Sequence, residues 1–224
     1  MGQPCRDKSG ADAPRRKDCI MIDVGKKLKV KVEFFEELLG TASADPDIHY
    51  NFIAKNAPDA PSRREEIEAL GVDEVADRGT TVFPRLENGQ PFLWDYQWKG
   101  YLKDAAGGLR TIKGTESSKV KAYKKLIDKL IYPQPRKVAL NLPAGKAIDF
   151  CERPLRASTA QGERVALASS EACPAGTTAE FEILVLDEGL VPFVKELLEF
   201  GELRGHGQWR NSGKGRFTCE IEEM

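Results

Sequence analysis

Histidine, methionine and tryptophan are scarce in this chain, at two, three and three among 224 residues. The histidines are His49 and His206, and Cys5, Cys19, Cys151, Cys173 and Cys219 are scattered without a Cys-x-x-Cys pair. That spacing argues against a zinc site and against a disulfide framework. Neither a metal nor a cofactor is expected. No apolar run approaches the length of a membrane span, and no signal-peptide core is seen, so a cytosolic protein with no membrane contact is expected. A dominant charge is missing too, since 34 Lys and Arg against 35 Asp and Glu leave −1. What remains is 41% hydrophobic content, enough to bury a real core in one large or two small domains.

The near-zero total hides segregation. Residues 99–137 hold eleven Lys or Arg, among them Lys99, Lys103, Lys124 and Lys125, against Asp104, Glu116 and Asp128. Residues 59–78 hold seven acids against three arginines. A chain divided in this way offers one basic face to phosphates and another to solvent or a basic partner. The same lysines also fit an ordinary amphipathic helix over 119–132, because Val120, Tyr123, Ile127, Leu130 and Ile131 recur at helical spacing.

The densest signal is near the end. Gly201, Gly205, Gly207, Gly213 and Gly215 fall within fifteen residues, interleaved with Arg204, Arg210, Lys214 and Arg216. Glycine lets a backbone take positive φ and approach a ligand closely, so its N–H groups can cradle phosphate oxygens while the cations neutralise charge. A flexible basic hairpin would look similar. Trp209 sits inside the run, where an exposed indole can stack on a base. Trp98, four residues after Trp94 on a helical face, is expected in the core.

Period-two alternation predicts strands over 26–35, 179–187 and 217–222, and helical spacing predicts helices over 95–106, 119–132 and 190–200. Pro133 and Pro135 are expected to stop the second helix, and 137–141 with 148–152 to form a hairpin across Pro143-Ala144-Gly145. Residues 1–24 read as a flexible tail and 25–224 as one domain, with an insertion at about 40–90 after the first strand; long insertions are usually functional or mobile. Arg153, Arg156 and Arg164 stand among Ser158, Thr159 and Gln161 in a stretch with no apolar period. Arginine pairs with phosphate and stacks on bases, and the hydroxyl and amide side chains can reach 2′-hydroxyls. A plain surface loop fits this stretch equally.

The order strand, helix, glycine-rich basic loop, strand, with the lead-in Glu171, Pro174-Ala175-Gly176-Thr177 and Phe181, resembles the RAMP superfamily of CRISPR-associated RNA-binding proteins. The stretch from Gly89 to Lys103 is similar to the family's entry to its first helix, with Trp94-Asp95-Tyr96 in place of its Pro-Gly-Ser turn. The resemblance implies an α+β, ferredoxin-like (RRM-like) core. It implies a non-catalytic role like that of a guide-RNA backbone subunit, with single-stranded or guide RNA, other CRISPR-type subunits or copies of itself as partners. It also places residues 153–164 where such subunits carry a segment that inserts into the guide or its duplex. Two alternatives stay open: a phage- or mobile-element-encoded interaction protein that imitates such a subunit, and a metal-dependent ribonuclease. Target-cleaving members carry an aspartate in the loop after the first strand, and Asp45, Asp47 and His49 are the candidates here; a carboxylate pair can bind Mg²⁺ and activate water. Asp-Pro-Asp is also a common turn.

Overall fold

The computed structural model describes residues 25–43, 80–159 and 162–224, and leaves the side chains of 155–167 outside the description. The expected tail at 1–24 and most of the expected insertion lie outside the described residues.

Four strands form the principal sheet: β1 (Lys26–Phe34), β6 (Ile131–Gln134), β10 (Thr177–Val185) and β11 (Phe217–Glu223), in the order β11-β1-β10-β6 with every pair antiparallel. Alternation in β1 decides its two faces. Leu28, Val30, Val32 and Phe34 are fully buried, and on β10 Ala179, Phe181, Ile183 and Val185 join them. Helices α1 (Asp95–Leu109), α3 (Tyr123–Leu130) and α4 (Val191–Glu199) cover that face with Trp98, Leu102, Ile127, Val194 and Leu197. Removing such side chains from water contributes about 1.5–3 kcal/mol each. Trp98 lies in the core, as its spacing predicted.

The opposite face carries the other residues of each strand. Lys29 sits between Glu182 and Glu222, and Lys31 between Glu180 and Glu220, so each row across the sheet reads carboxylate, ammonium, carboxylate.

A second sheet joins β2 (Leu38–Leu39), β3 (Ala42–Ser43), β4 (Thr80–Val82), β8 (Asp149–Thr159) and β9 (Gly162–Cys173), in the order β2-β9-β4-β3 with β8 beside β9. Its β4–β9 pair is parallel and its other pairs are antiparallel. Among the described residues β5 (Phe92–Trp94) pairs with β7 (Lys137–Ala139) alone. The chain is thus a mixed α+β protein built on antiparallel sheets.

Three expectations are corrected. The helix expected over 119–132 is interrupted: α2 (Glu116–Lys119) ends first, Ala122 takes a left-handed φ of 55°, and α3 follows. Its last expected turn is strand β6, because a residue before proline is forced out of the helical region, and Pro133, without an N–H, suits an edge strand. The hairpin expected across 143–145 is absent, since β7 pairs with β5 and β8 with β9. The stretch containing Arg153, Arg156 and Arg164 is no loop. It belongs to a β-hairpin registered from Asp149↔Ala172 to Thr159↔Gly162, an arm roughly 35 Å long at 3.3 Å per residue.

Candidate nucleic-acid interface

The glycine-rich loop leaves α4 through α5 (Gly201–Arg204) and returns as β11. Gly201 lies flat on the Phe217 ring, where a Cβ would come within 2.4 Å of ring carbons. Gly205, at φ 73°, ends α5, and the loop's two limbs then pinch together: the His206 N–H donates to the Gly215 carbonyl at 2.7 Å, and the Gly215 N–H donates to the Glu37 carbonyl at 2.8 Å. A Cβ on Gly215 would lie 2.0 Å from the His206 carbonyl oxygen. Gly207 faces the Leu39 carbonyl and the Leu38 side chain, and Gly213 the Arg216 guanidinium. All four glycines of the loop from Gly205 to Gly215 have positive φ, as expected, and the backbone and side chains they approach are this chain's own.

The loop's four cations face carboxylates. Arg204 donates from Nε to Asp104 at 2.7 Å, and Arg210 reaches the same carboxylate at 2.8 Å. Lys214 meets Glu37 at 2.5 Å and Arg216 meets Glu36 at 3.1 Å. Burial pushes the Asp104 carboxyl up, but the Arg204 hydrogen bond and the charges of Arg210 and Arg204 outweigh it and hold the group below its ordinary value. The hydrogen bond from Lys214 to Glu37 raises that ammonium. Since Asp104 faces two arginines, this corner keeps a surplus of one positive charge.

Five lysines lack such partners among the described residues. Lys113, Lys121, Lys124, Lys125 and Lys129 are exposed on and around α3, with no carboxylate partner among the described residues. Lys124 and Lys103 line an open groove with Asp104, Tyr123, Phe200 and Arg204, so the α3 lysines run into the loop's basic corner. Lys103 pairs with Asp128 at 2.5 Å. Lys99 sits 4.3 Å over the Tyr132 ring, and burial lowers its ammonium against the pull of Asp128.

Two residues singled out in sequence far apart meet here. The Arg153 guanidinium carbon lies 3.2 Å from the centre of the Trp209 ring. The partners Glu36, Glu37 and Asp104 carried no sequence signal for this site, because each belongs to an element distant in the chain from the loop. The side chains of Arg156 and Arg164, and all of Asp45, Asp47 and His49, lie outside the described residues. Among the described residues no group of three or more His, Cys, Asp or Glu could hold a metal, and no helix is long and apolar enough to cross a membrane.

No protein-family model matches the sequence, and no curated protein matches it. Among solved structures the chain is similar to a chain in the cryo-EM structure of the Type III-B Cmr-beta bound to cognate target RNA, at 12% identity and a TM-score of 0.48. That similarity covers 90% of this chain and 61% of the other, so this chain spans less than two thirds of its neighbour's length. It is also similar to a chain of a Type IV-B CRISPR complex, at 13% identity and a TM-score of 0.43, covering 88% of this chain and 90% of that one.

Proposed function

We propose that the chain is a non-catalytic, RNA-binding protein with a ferredoxin-like RAMP core, akin to a guide-RNA backbone subunit. The strand order supports the core assignment: β1, β6, β10 and β11, taken as first to fourth, lie 4-1-3-2, with α1 between the first two and α4 between the last two. The observation that carries the RNA assignment is the set of lysines on and around α3. Five exposed ammonium groups without carboxylate partners among the described residues leave a surface whose counter-charge must come from outside.

RNA phosphates supply that charge. The α3 lysines and the groove beside Arg204 track the backbone, the glycine-rich loop forms the seat at one end, and Arg153 carries the track onto the hairpin arm. The loop's cations act through the charge surplus at Asp104 and by holding the seat in shape, since each already has a carboxylate. Phosphate contacts position a strand without reading its sequence.

The test is the salt dependence of binding to labelled single-stranded RNA. Affinity is expected to fall by about 0.7 log units per phosphate contact for each log unit of salt. A double Lys124→Glu, Lys125→Glu protein should bind every sequence more weakly, with a lower slope and an unchanged melting temperature. An affinity that ignores salt, or that survives both substitutions, overturns the proposal.

A further inference from the structure

Trp209 takes φ 55° and ψ 29°, the left-handed region that bulky L side chains seldom occupy. Such strain persists where the surroundings impose it, and it gathers at functional sites. Here it leaves the indole half-buried against the hairpin arm, whereas Trp94 and Trp98 are 2% and 0% exposed.

The guanidinium on that indole differs from the other arginines nearby. Arg204 and Arg210 share Asp104, and Arg216 has Glu36. Arg153 has no carboxylate among the described residues, and its buried Nε donates to nothing among them. A guanidinium carries five N–H donors in a fixed fork, and leaving one buried and unused is costly. What Arg153 has instead is the face of Trp209, a cation–π contact. Each member of the pair suits half of a nucleotide, since an indole stacks a base and a guanidinium forks onto a phosphate.

We propose that a nucleotide of bound single-stranded RNA exchanges places with Arg153 on Trp209. The base takes the indole face, and the released guanidinium pairs with the flanking phosphate. Two unlike contacts then replace one, and the stranded N–H gains an acceptor. Stacking accepts any base, so the site grips a nucleotide without selecting it. This inference rests on the RNA-binding function proposed above.

The experiment compares a short single-stranded RNA with an abasic oligonucleotide of equal phosphate count, on wild type and on Trp209→Ala, Trp209→Phe and Arg153→Gln proteins, with melting temperatures measured alongside. Wild type should bind the RNA more tightly than the abasic strand, and the RNA alone should quench the half-exposed Trp209. Trp209→Ala should weaken RNA binding about tenfold while leaving the abasic strand unaffected, Trp209→Phe should retain most of the affinity, and Arg153→Gln should weaken the RNA while nearly sparing the abasic strand, which has no base to release the guanidinium from the indole. If wild type binds both strands equally and the RNA leaves Trp209 emission unchanged, the exchange is wrong and RNA binding stands. If wild type binds neither, both proposals fall. Should Trp209→Ala unfold, the wild-type comparison and Trp209→Phe still decide.

Discussion

The His206 imidazole packs 4.6 Å from the Trp98 indole, inside the core, with 3% of its surface exposed. The Tyr101 ring lies 5.8 Å away, and neither ring nitrogen has a partner at good hydrogen-bond geometry among the described residues. Burial, and then the charge of Arg210, push its pKa down from 6.5 to about 3. The imidazole is therefore neutral in the folded protein and stands at the root of the glycine-rich loop.

An acid-sensitivity prediction follows from the sign of that shift. The unfolded chain takes up this proton near pH 6.5 and the folded one only near 3, so stability is complete above about 6.5 and drains away as pH falls between the two values. His206→Leu should flatten the decline of melting temperature between pH 6.5 and 5, a range above that in which carboxylates titrate. An unchanged slope would show that His206 is not the group responsible.

Asp104→Asn should separate the structural and electrostatic roles of the loop. It removes the carboxylate shared by Arg204 and Arg210, at a cost of about 1.5–3 kcal/mol for a charge-assisted contact, so the melting temperature should fall. It also frees two guanidinium groups beside the basic groove, so RNA affinity at low salt should rise and its salt dependence should steepen. A variant that is both destabilised and weaker in RNA binding would mean that the loop's shape outweighs its charge.

Glycine substitutions should divide by what lies beyond the missing Cβ. Gly215→Ala drives a methyl into the His206 carbonyl and should unfold the loop and β11 together. Gly213→Ala, strained in φ but facing only the Arg216 side chain at 3.3 Å, should lower the melting temperature far less. Equal losses in the two proteins would contradict this account.

Glu196, on α4, ties down α2. Its carboxylate accepts from the Glu116 and Ser117 N–H groups at 2.7 and 2.8 Å and from the Ser117 hydroxyl at 2.6 Å. Burial raises its pKa, but these hydrogen bonds win and lower it, so its stabilising effect is present above the ordinary glutamate value of 4.5 and is lost as pH falls below it. Glu196→Ala should lower the melting temperature at neutral pH by a margin that shrinks in acid. A loss independent of pH would point to packing instead.

Much of the principal sheet was legible in sequence because its strands are half-buried. Leu28, Val30, Val32 and Phe34 against Lys27, Lys29, Lys31 and Glu33 leave one outcome, and Phe181, Ile183 and Val185 repeat it. The α3 region was misread because helical spacing from Val120 to Ile131 persists through a break at Ala122 that only the backbone reveals. β5 and β7 lie far apart in the chain, and a strand's own residues do not name its neighbour, while the β8–β9 hairpin went unread because its arginine- and hydroxyl-rich stretch has no apolar alternation. For the site, the glycines' positive φ was inferred correctly, while the occupants of the space around them were not. Glu36, Glu37 and Asp104 look in sequence like any solvated acids, and their pairing with the loop depends on the fold being complete.

The Glu-Lys-Glu rows on the face of the principal sheet away from the helices also bear on how the protein coexists with itself. Among the described residues strand β11 is an edge, and Glu220 and Glu222 are the last residues of their rows. A second molecule offering the same edge would bring identical carboxylates alongside, and like charges directly across a ladder repel. That edge therefore resists pairing with the same edge of a second copy, without a proline in β11. A strand that did extend it would need to arrive carrying lysine or arginine opposite Glu220 and Glu222.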